Sequence, residues 1–234
     1  MHLFRRDLFQ VIALLTLFCA VACAQAQEAG FPPEEEMFRP AVMPDRIVLT
    51  WNDDPATTRA VTWRTDTTVS SGVAQIAHAD PGPALEASAL AIPAVTSELT
   101  TRHWPAKYHS VTFGDLKPDT LYAYRVGDGT HWSEWFHFRT ACDRPAPFSF
   151  VYFGDIQNSI RPLCSRVVRA AASAAPNARF FVFGGDLVND GSNDPMWGEF
   201  FAAGGWLYSM ASVFLSLRPG TTSTAEIPRR IKEP

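Results

Sequence analysis

No histidine follows His137 in this chain of 234 residues, although six occur before or at that point. No run of lysine and arginine occurs either, and the formal net charge is −4. That balance excludes a protein built to grip a nucleic-acid backbone, which needs a basic surface. The four cysteines include no Cys-x-x-Cys spacing, which excludes a zinc ribbon and a dithiol redox motif. No glycine-rich turn closes on Gly-Lys-Ser/Thr, so a nucleotide-phosphate loop of that type is absent. The greasiest run, VIALLTLFCAVA at 11–22, is too short to span a bilayer comfortably.

What is present describes a folded globular protein: 47% hydrophobic and only 19% charged residues are not the composition of a disordered chain. The length suits one large or two small domains. Eighteen prolines and 14 glycines, spread in short clusters, point to many turns and to β structure.

Residues 1–26 read as an export signal. Arg5 and Arg6 precede the apolar run, and AQAQ follows it, with cleavage after Ala26. Export to the periplasm or medium, with no membrane attachment after cleavage, is the expectation. A lipoprotein at Cys23 is the weaker alternative, because Ala20 is a poor residue three places before it. A retained anchor helix is another. Removing the signal takes Cys19 and Cys23 with it and leaves Cys142 and Cys164. These two could pair in an oxidising compartment, but sequence does not give their geometry.

Residues 27–44 form an N-terminal extension. From 45 to 140 the pattern alternates: RIVLTW (46–51), AVTWRT (60–65), GVAQIAHA (72–79), YHSVTF (108–113), LYAYRVG (121–127) and WFHFRT (135–140) each read as a strand. The expected fold is an all-β sandwich of the immunoglobulin or fibronectin III type. LKPDTLY (116–122) resembles the approach to a tyrosine corner, with Tyr122 as the corner residue and Trp63 as a core tryptophan. His103, His109, His131 and His137 lie scattered over this region and read as structural or surface residues, not as a metal set.

After a short linker, 141–147, the pattern changes. FSFVYFGD (148–155) and ARFFVFGGD (178–186) are nearly continuous apolar strands, as expected where both faces are buried. An alanine-rich helix at 159–176 joins them, and a second starts at 195. Strand, helix, strand, helix implies the first part of a parallel α/β domain at 148–210.

Both buried strands end in the same pair, Gly154-Asp155 and Gly185-Asp186. Reactive groups collect at the carboxyl ends of parallel strands. Two aspartates held there can share a cation. Either one alone could merely cap the next helix. An EF-hand reading of the second loop fails, since Val188 stands where a ligand is required and Trp197 where the bidentate glutamate belongs.

A sandwich, then FGDIQN, then GGDLVNDG resembles the bacterial branch of the purple acid phosphatases, within the calcineurin-like metallophosphoesterases. DPATTRAVTWRT, YHSVTFGDLKPDTLYAYRVGDG and WSEWFHFRT are similar to that family's N-terminal fibronectin-like domain. The resemblance implies metal-dependent hydrolysis of phosphate esters at a dinuclear centre of Fe, Mn or Zn. It implies Asp155 as the first-metal aspartate and Asp186 as the bridge between metals. Gln157 stands where many members have a ligand histidine, and Asn189 where purple members have the iron-bound tyrosine. Both are weaker ligand candidates, and the second implies an uncoloured protein.

The family takes its other ligands from GNHE and later histidine motifs. This chain has Pro219-Gly220-Thr221-Thr222-Ser223-Thr224 in the place of PGNHEY. Codons for PGNHEY read one base later give Pro-Gly-Thr-Thr-Ser-Thr. Residues 211–234 therefore read as an out-of-frame tail, and the chain as an incomplete, inactive fragment. The alternatives are an exported fibronectin III-type binding module without enzymatic activity, and a fragment that assembles with a chain supplying the histidines.

Overall fold

The computed structural model describes residues 33–215. The expected export signal at 1–26, the start of the expected extension at 27–44 and most of the expected out-of-frame tail at 211–234 lie outside the described residues. The chain divides into two units at Met37 and Phe38. Of the first, the described part is a helical turn, Glu34–Met37.

The second unit begins with the sandwich. Eight strands form two four-stranded antiparallel sheets: β1 (Asp45–Thr50), β2 (Arg59–Thr65), β6 (Pro105–Phe113) and β5 (Val95–Thr100) in that spatial order, and β4 (Leu90–Pro93), β3 (Val73–His78), β7 (Leu121–Gly127) and β8 (Phe136–Arg139) in the other. The six strands legible in the alternation are all present. β4 and β5 were not foreseen. Each lies at one edge of its sheet and is largely exposed, so AIPAVTSELT carries no in–out alternation. Pro93 ends β4, and the chain then passes from one sheet to the other at Ala94, consistent with confinement of strand proline to edges.

Inward side chains of both sheets meet in one core, where Val61, Trp63, Phe113, Tyr124 and Val126 are fully buried. The tyrosine corner is formed: Lys117 N donates to Tyr122 Oη at 2.9 Å. His109, also fully buried, stacks on Trp63 and lies between the hydroxyls of Thr65 (2.8 Å) and Thr96 (2.9 Å). Burial, with Lys107 adding to it, pushes its imidazole below the usual histidine range. Arg125 lies between Trp132 and Trp135, 4.4 and 4.7 Å from the ring centres, and completes a ladder on the second sheet.

Beyond the linker the sheet is parallel: β9 (Ser149–Phe153), β10 (Ala178–Phe183) and β11 (Ser212–Leu215), in the order β11-β10-β9. The α/β region thus continues past Met210, where the sequence reading set its end. SVFL pairs residue for residue with β10, Val213 is buried, and the strand belongs to the sheet. A π-helical turn, Ile160–Cys164, leads into α1 (Ser165–Ala174), and α2 (Asp194–Gly204) and α3 (Leu207–Met210) follow β10. The helix expected to start at 195 is α2, and it ends at Gly205, whose φ of 52° a helix does not accept. Phe153, Val168, Phe181, Phe183 and Phe200 fill the layer between sheet and helices. Cys142 and Cys164 are both free thiols.

Sandwich and α/β region are joined through β1. One extra residue in β1 between Asp45 and Val48 shifts its register against β2, and Arg46 there has φ 49°. This bulge lets Arg46 and Arg64 approach one carboxylate, Asp194 at the start of α2. Arg46 donates to Asp194 Oδ1 at 2.9 Å and Oδ2 at 2.7 Å, and Arg64 donates to Oδ2 at 2.9 Å. Arg64 also forks onto Asp45 at 2.9 and 2.6 Å. Burial would lower the Arg64 guanidinium, but the two carboxylates outweigh it and hold it above its ordinary value. Two further bonds cross the junction: Tyr124 Oη donates to Ser209 O at 2.6 Å, and Ser209 Oγ to Ile47 O at 2.9 Å.

Candidate functional site

Asp155 and Asp186 follow the carboxyl ends of β9 and β10, which pair in parallel with Phe153 opposite Phe183. That pairing sets the two aspartates side by side. Gly184 N donates to Phe153 O at 2.9 Å and Ile156 N to Asp186 O at 2.9 Å, so the strand exits stay joined past the sheet itself. Asp155 Oδ1 accepts from Asp186 N at 3.2 Å. A Cβ at position 185 would collide with that same Oδ1 and lie 2.8 Å from Asp155 N, so the approach requires glycine there.

The two weaker candidates join the same cluster. Gln157 Nε2 donates to Asp186 Oδ2 at 3.4 Å, a long bond. Asn189 Nδ2 donates to Gln157 O at 3.1 Å and Asn158 Oδ1 at 3.2 Å, tying the second loop to the first. All four sequence candidates therefore converge. Gln157 Oε1 is buried and has no hydrogen-bond partner among the described residues. Asp155 and Asn189 are exposed, while Asp186 and Gln157 are half-buried.

Sequence reasoning missed the support around this cluster. Asn158, although inside the FGDIQN stretch, was not singled out. Arg102, from the turn between β5 and β6, reaches Asp190 Oδ2 at 2.6 Å. Ser192 donates to Asp190 Oδ1 from its N at 2.9 Å and its Oγ at 2.7 Å. The bonds from Ser192, with Arg102 adding to them, hold the Asp190 carboxyl below its ordinary range. Trp197 Nε1 donates to Gly191 O at 2.9 Å and closes the loop onto α2. No local sequence signal marks the Arg102–Asp190 pair, whose members are 88 residues apart.

Residues 44–140 match the family profile described as purple acid phosphatase, N-terminal domain. The sandwich is a domain of that kind. The fold of the chain is similar to that of purple acid phosphatase PPD1 from yellow lupin (Lupinus luteus) seeds. The TM-score is 0.63 at 18% identity, over 74% of this chain and 35% of that one. The chain thus spans about a third of that relative's length. PhoD is matched with a TM-score of 0.46 and 11% identity over 75% of this chain and 38% of its own. The chicken CNTN1 FN1–FN3 domains are matched with a TM-score of 0.30 and 17% identity over 44% of this chain and 31% of theirs. No curated protein matches the sequence.

The phosphatase relationship suggests a dinuclear metal centre for the family. The donors at these strand tips are two carboxylates and a partnerless carboxamide oxygen, all hard oxygen ligands. They suit one cation. They do not fit a two-metal centre of Fe, Mn or Zn, which also draws on imidazoles. The described histidines all lie in the sandwich, and no three of His, Cys, Asp or Glu come together among the described residues. No helix among them is long and apolar enough to cross a membrane.

Proposed function

We propose that this chain carries the first two metal-binding carboxylates of a phosphate-ester hydrolase of the purple acid phosphatase type. The observation that supports this is the junction of two Gly-Asp strand ends, with Asp186 N on Asp155 Oδ1 at 3.2 Å, beside a sandwich of that family's N-terminal kind. In a whole protein of that type Asp155 would be ligand to one metal and Asp186 the bridge; in this chain the two carboxylates would share one cation. Gln157 and Asn189 are weaker oxygen ligands beside them. The substrate class is a phosphate ester, and the site of action is outside the cytoplasm, after removal of residues 1–26.

No imidazole among the described residues joins this cluster, and the reading is therefore of a chain inactive alone. Its expected property is weak binding of a single hard cation by the two aspartates. Titration calorimetry with Mn²⁺ tests this: one weak site in the wild type, lost in Asp155→Asn and in Asp186→Asn. Heat in both variants equal to that of the wild type would remove the metal reading. Turnover of p-nitrophenyl phosphate by this chain alone, with Mn, Zn or Fe added, would refute its inactivity.

A further inference from the structure

A cavity of about 250 Å³ lies where the sandwich meets α2 and α3, and none of the candidate metal ligands lines it. Its walls are largely aromatic: Phe38 from the lead-in to β1, Phe136 from β8, Phe201 from α2, and Trp206 from the break between α2 and α3. Phe38 is seated directly on α2 at Gly198, where a Cβ would collide with its ring. The positive φ of Gly205 ends α2, and Trp206 follows at the rim, 60% exposed.

The charges around this cavity do not cancel. Asp45 and Glu134 both line it. Asp45 is paired with Arg64. Arg46, the one cation in the wall, is 5% exposed and bound through both Nη atoms to Asp194, with its guanidinium 5.5 Å from the centre of the Phe201 ring. Arg46 and Arg64 therefore balance Asp194 and Asp45. Glu134 is exposed, and its carboxylate has no hydrogen bond or ion pair among the described residues. One negative charge is left over at the rim of an aromatic hollow.

That combination selects its ligand. An anion is repelled by the surplus carboxylate. A hard metal ion takes oxygen ligands and gains nothing from the rings. A cation clothed in methyl groups gains from both, because ring faces attract positive charge and methyl groups give up little hydration. Pockets for drug-sized ligands measure about 300–1,000 Å³, so this one suits a smaller molecule.

We propose that this cavity binds a quaternary ammonium group, held against the rings of Phe38, Phe136 and Trp206 with its charge towards Glu134. The site is separate from the aspartate cluster and stands or falls independently of the metal reading.

Titration calorimetry of the full chain with choline chloride tests this, with sodium chloride exchanged for it at constant ionic strength. The control is 3,3-dimethylbutanol, the uncharged analogue in which carbon replaces nitrogen. The expected result is one saturable site, at least about tenfold tighter for choline than for the alcohol. Trp206→Ala and, separately, Glu134→Gln should each weaken choline at least about fivefold. Both side chains are exposed, so the circular dichroism spectrum should not change, and Trp206→Phe should recover part of the loss. Flotation on phosphatidylcholine vesicles separates two sources of the same group: binding lost in Trp206→Ala makes it a lipid headgroup, and any other result a free ion. No saturable heat with choline, equal affinity for the neutral alcohol, or wild-type affinity in either Trp206→Ala or Glu134→Gln overturns the inference.

Discussion

Replacing Asp194 by alanine tests how the sandwich and the α/β region are held together. The carboxylate is 4% exposed and receives three charge-assisted bonds, from Arg46 at 2.9 and 2.7 Å and from Arg64 at 2.9 Å. Without it, Arg64 keeps Asp45, but Arg46 is left 5% exposed with no acidic partner among the described residues. Removing one partner of a buried pair costs about 3–5 kcal/mol, chiefly because the other charge stays desolvated. Loss of a negative charge at the start of α2 adds about 0.3–1 kcal/mol. A total near 4 kcal/mol corresponds to a fall in Tm of roughly 8–16 °C for a chain of this size. Urea unfolding followed by tryptophan fluorescence reads the change, and the α/β region should separate as an earlier transition. The pair Arg46→Met with Asp194→Leu removes both charges together and should recover more than half of the loss. A cost below about 1 kcal/mol for Asp194→Ala would show that the charges are solvated in solution and that the junction is held by its apolar contacts alone.

Gly185→Ala should weaken Mn²⁺ binding several-fold and also lower the Tm, since its Cβ would meet Asp155 Oδ1 and stand 2.8 Å from the backbone N of Asp155; titration calorimetry and thermal unfolding measure the two effects. Tyr122→Phe should cost about 1 kcal/mol by losing the bond from Lys117 N, read from urea midpoints. His109 gives a pH dependence. Its folded value is lowered, so the unfolded chain binds the proton more readily, and stability falls as pH drops below the ordinary histidine value of about 6.5. Urea midpoints from pH 7.5 to 5 should show this slope, and His109→Gln should flatten it.

The strands with one face in the core were legible because burial writes itself into alternation: AVTWRT and LYAYRVG need no partner to be recognised. β4 and β5 were not legible, because an edge strand with exposed faces obeys no such pattern. SVFL was passed over as part of the tail, since four apolar residues do not by themselves show which sheet they join. At the candidate site, the repeated Gly-Asp named both carboxylates in advance, and the neighbouring Gln157 and Asn189 followed from the resemblance. The arginines that hold the loop and α2 were not visible. Arg46 and Asp194 are 148 residues apart, and only the folded chain relates them.

The bulge in β1 sets a condition on any attempt to graft or exchange this sandwich. Deleting one residue between Asp45 and Val48 would restore regular pairing with β2 and turn Arg46 to the other side of the strand. The sandwich would still close, but its grip on α2 would go, and with it the alignment of the aspartate loop. A donor sandwich without that single irregularity would be a well-folded neighbour of the α/β region, not a partner to it.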